Sequence, residues 1–287
     1  MNNTEHSRTL LAPNTNSVLL NGFPKSGNYL VWKILYLIQS HFKIYQSYIR
    51  SYRLSPGLTA DGKQKDFIFK HADIIDGITL NQQQIGYDLT WQSYGAPMQV
   101  DPRVLFHNSS LLWCHDALTA EKFDVLSANI AHLVYVYRDV ESVLKSFALH
   151  SLRFQQFNPK YSLRHPQDVI DNEKFIINNA KRWQRHVQYY LANEEKMHLI
   201  NYSELTNNKA DVIAKLISAI APENSSLSTQ QEQLLIKQIA EQTSISVMQS
   251  ESKDHVNTQS SSLVISAANK ALIAQITGQT REKIGVN

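Results

Sequence analysis

The sequence predicts an α/β protein, with a mainly parallel central sheet flanked by helices, folded as a single domain. Two observations predict it. Short apolar runs alternate with longer stretches of helical period along most of the chain, the pattern of strands joined by crossover helices. No internal repeat and no Pro/Gly-rich linker divides the sequence into two units.

The elements follow in order. Residues 1–16 are polar and read as a loose leader, leaving 17–287 as the folded domain. Ser17-Val18-Leu19-Leu20-Asn21 has the length and β-branched start of a buried strand. A glycine turn comes next, and between Ser26 and Gln39 the residues Leu30, Val31, Ile34, Leu35, Leu37 and Ile38 recur at helical spacing. Phe67-Ile68-Phe69 and Leu111-Leu112-Trp113 are two further short apolar runs of strand character. His132 to Tyr137 reads as a strand, and Val140, Val143, Leu144 and Phe147 form one helical face behind Asp139, placed as an N-cap. Beyond it the pattern predicts a long helix from Asp168 to Asn193, a strand at His198-Leu199-Ile200-Asn201 and a helix from Ala210 to Ile220. Gln249 to Ser262 has no hydrophobic period and reads as a mobile loop before a short helix, Leu263 to Ile276.

Composition narrows the function. Hydrophobic residues make up 43% and charged residues 18% of 287, values of a folded globular chain rather than a disordered one. Lys and Arg number 28 against 25 Asp and Glu with no run of like charge, which argues against a nucleic-acid partner. Cys114 is the sole cysteine, so an intrachain disulfide and a multi-cysteine metal site are both excluded. The N-terminus lacks the apolar stretch of a secretory signal, and Lys33 interrupts the run from Leu30 to Ile38 before it reaches bilayer length. A protein of the cytoplasm with no integral membrane segment is the expectation.

Asn21-Gly22-Phe23-Pro24-Lys25-Ser26-Gly27-Asn28-Tyr29-Leu30 joins the first strand to the first helix. Backbone N–H groups and the helix dipole favour an anion at such a junction. Gly22 and Gly27 keep the spacing of a Walker A loop, but Asn28-Tyr29 stand where that loop carries Lys-Ser/Thr. The hydroxyl that holds Mg²⁺ in nucleotide kinases is missing, and the lysine lies inside the loop. Tyr137-Arg138-Asp139 ends a strand and opens a helix, with Ser146 two helical turns further on. On the residues alone, Arg138 reads as a phosphate ligand or as a solvated ion pair.

Gly22-Phe23-Pro24-Lys25-Ser26-Gly27 resembles the 5′-phosphosulfate loop of the cytosolic-type sulfotransferases that use 3′-phosphoadenosine 5′-phosphosulfate (PAPS), and Tyr137-Arg138-Asp139 with Ser146 resembles their 3′-phosphate signature. The resemblance implies a P-loop-like sheet and transfer of a sulfuryl group to a hydroxyl, releasing 3′-phosphoadenosine 5′-phosphate (PAP), with no metal. It implies that Pro24, Lys25, Ser26, Gly27, Asn28 and Tyr29 form the 5′ site, Lys25 meeting the bridging oxygen. Arg138 and Ser146 then hold the 3′-phosphate, and Tyr202 in Asn201-Tyr202-Ser203-Glu204-Leu205 lies near the adenine or caps a strand end. Arg281 is the remnant of a C-terminal loop over the 3′-phosphate, with Glu282 beside it. Tyr29 and Leu30 stand where the family usually has threonine and tryptophan.

The catalytic histidine falls at His115, since its interval to Arg138 resembles the family's, although Trp113-Cys114-His115 replaces Lys-Thr-His. Histidine suits proton abstraction near neutral pH; the competing reading of His115 is a structural residue at a strand end. His71 is too far upstream of Arg138. Trp183 and His186 match a Trp-x-x-His pattern of the family and read as core or interface residues. The acceptor is a small molecule, a sugar or a lipid-like alcohol, walled by Gln46 to Gly62, Tyr87 to Arg103 and Phe154 to Pro166. Two other functions fit the residues less well: a member of the fold with impaired turnover, and a P-loop nucleotide kinase.

Overall fold

A computed structural model of the chain describes residues 14–51, 73–81, 84–89, 98–100, 102–155, 165–251 and 262–285. The elements begin with β1 (Val18–Asn21), α1 (Asn28–His41), α2 (Tyr48–Ser51), β2 (Asp73–Asn81), β3 (Gln84–Leu89) and β4 (Met98–Val100). They continue with α3 (Pro102–Asn108), β5 (Leu111–Cys114), α4 (Ala120–Ser127), β6 (His132–Tyr137), α5 (Val140–Gln155), α6 (Pro166–Asp171) and α7 (Glu173–Leu191). β7 (His198–Asn201), α8 (Tyr202–Asn207), α9 (Lys209–Ile220), α10 (Thr229–Gln242), α11 (Ile245–Glu251) and α12 (Ala267–Lys283) complete the order.

One sheet takes the strands in the order β4-β3-β2-β5-β1-β6-β7. β2, β5, β1, β6 and β7 run parallel, while β3 and β4 extend one edge antiparallel. Every residue of β1 and β5 is buried, as expected of strands covered on both faces. Alternate side chains divide between two cores. Val18, Leu20, Leu111, Trp113, Val134 and Val136 pack with α1 and α9, whereas Leu19, Leu112, Leu133 and Tyr135 pack with α4 and Tyr190 of α7. A third core lies among α5, α6, α7 and α12, and Phe23 from the turn after β1 enters it.

The strands read at 17–21, 111–113, 132–137 and 198–201 occur, the first starting one residue later and the second ending one residue later than read, and the fold is the α/β sheet the sequence predicts. The run from Asp168 to Asn193 is two helices rather than one. Asn172 between them is extended, at φ −75° and ψ 110°, and its side chain accepts from Phe175 N at 3.2 Å to start α7; asparagine offers the backbone this local alternative to helix. The last helix begins later than expected, where Ser266 Oγ accepts from Asn269 N at 3.2 Å, and it extends through Arg281. Phe67 to Phe69 lies outside the described residues. β2 escaped the sequence reading because its first residue is an aspartate. Buried Asp73 is satisfied by Ser47 Oγ at 2.8 Å, Tyr48 N at 2.6 Å and Ser109 Oγ at 2.6 Å, donors distant in sequence. No described helix is long and apolar enough to cross a membrane.

Leu20→Ala removes a side chain with no solvent exposure from the central strand, and chemical denaturation should show a loss of about 2–5 kcal/mol. Leu234→Ala, at a position 56% exposed, should shift stability by no more than about 0.5 kcal/mol.

Candidate active site

Parallel pairing sets Cys114 beside Asn21, Asn21 beside Tyr135, and Tyr137 beside Asn201. The residues leaving the carboxyl ends of β5, β1, β6 and β7 are therefore His115, Gly22, Arg138 and Tyr202, on strands spaced about 4.8 Å apart. Open parallel sheets hold ligands along this edge.

The turn from Gly22 to Gly27 is shaped by its surroundings. A Cβ on Gly22 would lie 2.7 Å from the Val136 carbonyl oxygen, and a Cβ on Gly27 would overlap the Tyr202 ring. Lys25 and Gly27 both take left-handed backbone, at φ 73° and 104°, with Ser26 between them. Alternating handedness of this kind gathers successive N–H groups into one concavity. Asn28 Nδ2 braces the loop by donating to Phe23 O at 2.9 Å, and the N-terminus of α1 has no side-chain cap. Ser26 Oγ is buried in the loop with no hydrogen-bond partner among the described residues, and so is Asn28 Oδ1. A buried hydroxyl left unbonded is costly, and a phosphate oxygen in the concavity would satisfy it.

The Arg138 guanidinium lies over the Tyr202 ring, 4.4 Å from its centroid. The same ring fills the space above Gly27, so Tyr202 touches both the loop and the arginine. Burial lowers the Arg138 value from its ordinary one, with Tyr202 and Asp139 acting in the opposite direction. No described carboxylate lies within ion-pairing distance of this guanidinium.

His115 Nδ1 lies 2.8 Å from the Gly22 carbonyl. A carbonyl only accepts, so the proton sits on Nδ1 and Nε2 keeps its lone pair. Among the described residues Nε2 has no hydrogen-bond partner. The ring is pushed down to about 4, chiefly by removal from water; the bond to Gly22 opposes this, and the charge of Lys25 adds to it. His115 is thus a neutral imidazole at pH 7, within electrostatic reach of Lys25.

A family model described as the sulfotransferase domain matches residues 15–271. The chain belongs to the sulfotransferase family. A mouse sulfotransferase, SULT7A1, crystallised with PAP superposes with a TM-score of 0.53 at 12% identity, covering 95% of this chain and 87% of that one. A retinol dehydratase in complex with retinol and PAP gives 0.52 at 14% identity, covering 96% and 82%. At these identities the likeness is one of fold. No curated protein matches the sequence.

The other residues singled out in this sulfotransferase have distinct surroundings. Pro24 is half-buried in the loop. Tyr29 stacks on Trp32 at 6.1 Å and turns its hydroxyl to Glu251 Oε2 at 3.5 Å; burial, then the Glu251 charge, pushes it up to about 12. Trp113, where the family has lysine, is buried beside Trp32 at 6.4 Å, with its ring edge against His115 at 5.4 Å. Ser146 is half-buried on α5, and its hydroxyl bonds none of the other site residues. Arg281 in the last turn of α12 lies 3.4 Å from Asp139 Oδ1 and 3.4 Å from Glu141 Oε1. Its cation offsets two carboxylates at the start of α5 that would otherwise repel an anion at Arg138. Glu282 is exposed. The proposed acceptor walls lie largely outside the described residues.

Two residues read as core reach the site. Trp183 Nε1 donates to Arg138 O at 3.1 Å, and His186 Nε2 lies 3.3 Å from His115 O. Their one-turn spacing on α7 was the available signal, but the carbonyls they meet are invisible in sequence.

His186, like His115, is lowered to about 4, mainly by burial. Both titrate near 6.5 in the unfolded chain, which therefore binds protons first as the pH falls. Stability from these rings is fully present above about pH 6.5 and is lost progressively down to about pH 4. The urea midpoint should fall across that window, and His186→Gln should flatten the decline.

Proposed function

We propose that this sulfotransferase transfers the sulfuryl group of PAPS to a hydroxyl of a small-molecule, sugar or lipid-like acceptor. The observation that carries the reading is the Tyr202 ring, in contact with both Gly27 and Arg138. Through it the two anion cradles share one cleft, as a ligand phosphorylated at both ends requires. When bound, PAPS supplies the sulfuryl group and a phosphate for each cradle.

The residues present fit such a ligand. The loop N–H groups and the buried Ser26 Oγ hold the 5′ end, and Asn28 supports them. Arg138 takes the 3′-phosphate through paired hydrogen bonds, with Ser146 and Arg281 at its margin. His115 Nε2 removes the proton of the acceptor hydroxyl. Lys25 sets its charge against the negative charge that develops at the loop. An anionic ligand in the cleft also opposes the effect of Lys25 on His115, drawing the base upward toward neutral pH.

Support for the acceptor class comes from the dehydratase of the same fold, which binds retinol, a lipid-like alcohol, together with PAP. Trp113 in place of lysine favours a second reading, a nucleotide-binding member of the fold with little turnover. Cys114 as the sole cysteine is consistent with the cytoplasm as the working location.

Calorimetric titration tests the donor site. Wild type should prefer PAP to adenosine 5′-phosphate, and Arg138→Ala should lose about 2–4 kcal/mol of that preference. Lys25→Ala should weaken both nucleotides. Equal preference in wild type and Arg138→Ala removes the 3′-phosphate assignment. Incubation with PAPS and a panel of alcohols separates the two readings, and with a productive acceptor His115→Ala should lower kcat by about 10²–10⁴.

A further inference from the structure

The proposed chemistry uses no side chain of α7, yet this helix meets the backbone of both Arg138 and His115 and the Phe23 ring of the loop. Trp183 and His186 stand one turn apart on one face and are buried. Trp183 Nε1 donates to the Arg138 carbonyl at 3.1 Å. His186 Nε2 faces the His115 carbonyl at 3.3 Å, and because a carbonyl only accepts, that nitrogen carries the proton. Nδ1 is then left to accept from the Tyr135 hydroxyl at 2.9 Å. Tyr135 is held in turn by stacking on Tyr190, with ring centroids 3.7 Å apart. The phosphate loop meets the same face, since the Phe23 and His186 rings lie edge to face at 5.6 Å.

We propose that Trp183 and His186 are positioning residues: α7 is a two-pronged clamp that fixes the separation between His115 and Arg138. The inference rests on the reading of His115 as base and Arg138 as 3′-phosphate ligand. β5 and β6 are not neighbours, because β1 lies between them, so roughly 10 Å of sheet separates their ends. His115 and Arg138 both lie past the last residue of their strands. No ladder bond ties one to the other, whereas α7 bonds the backbone of each. Loss of either bond takes a partner from a part-buried carbonyl and releases one reacting partner from its place, and displacements of an ångström are enough to slow a positioned reaction. The His115 carbonyl sets the His186 tautomer, and the Tyr135 hydroxyl, donating to Nδ1, holds the ring in the direction of the second prong.

The two prongs make separable predictions. Trp183→Phe keeps the ring and removes the donor; it should cut the preference for PAP over adenosine 5′-phosphate about tenfold, with a smaller effect on kcat. His186→Asn places its amide near Nδ1, out of reach of His115, and should lower kcat about tenfold while PAP affinity holds. Its acid limb in the pH profile of kcat should also move upward, since a displaced His115 ring is better hydrated. His186→Gln, whose amide nitrogen falls near Nε2, should restore most of kcat. Folding of each variant is checked by its urea transition. Parallel losses of affinity and kcat in both variants, or equal rates for the Asn and Gln variants, overturn the clamp and point to a packing role. A wild type that binds PAP no better than adenosine 5′-phosphate instead defeats the assignment on which the clamp rests.

Discussion

A single aromatic ring occupies the space that a side chain on Gly27 would need, and the Arg138 guanidinium lies on it. Tyr202 can do this because β7 is the parallel neighbour of β6 and ends level with it. β1 in the middle of the sheet brings the loop, and β5 on its other side brings His115. Strand order therefore converts four sequence-distant residues into one cleft. The glycines are the price of that closeness, since Gly22 abuts the Val136 carbonyl and Gly27 abuts Tyr202.

The charges of the cleft follow from its burial. Arg138 is held partly out of water without a described carboxylate in ion-pairing distance, and His115 is kept neutral by burial and by Lys25. A cation buried without a paired carboxylate is costly unless an anion meets it. Asp139 and Glu141 at the start of α5 are faced by Arg281, and Asp139 Oδ2 is further occupied as a cap for Ser142 N at 3.2 Å. Asp116, next to His115, is paired with Lys122 and accepts from Ile78 N at 3.2 Å. All three carboxylates are thereby engaged by described partners.

Elements whose cause is local could be read from sequence. β1, β5 and β6 are apolar runs because both faces of each are covered, β7 at the sheet edge is a short run with only Ile200 buried, and the loop declares itself through two glycines and a lysine. What sequence conceals is long-range satisfaction. Asp73 looks like a strand breaker until Ser47 and Ser109 are seen around it, and the helical pattern after Asp168 hides the turn that Asn172 makes with its own side chain. Trp183 and His186 have the spacing and burial of core residues. Their second role depends on carbonyl positions set by strands far from them in the chain. Arg281 was expected in a loop and is found in the last turn of a helix, where Thr280 and Ile284 are buried on either side of it.

Lys25 sits in left-handed backbone, a conformation that disfavours an L-residue by roughly 1–2 kcal/mol. Phe23, anchored in the helical core, and Asn28, bonded across the turn, hold it there before any ligand arrives. The loop is thus shaped by folding, and under the proposed function the affinity available from phosphate contacts would not be diminished by loop rearrangement. The corresponding strain is carried by the fold itself, in the turn at Lys25.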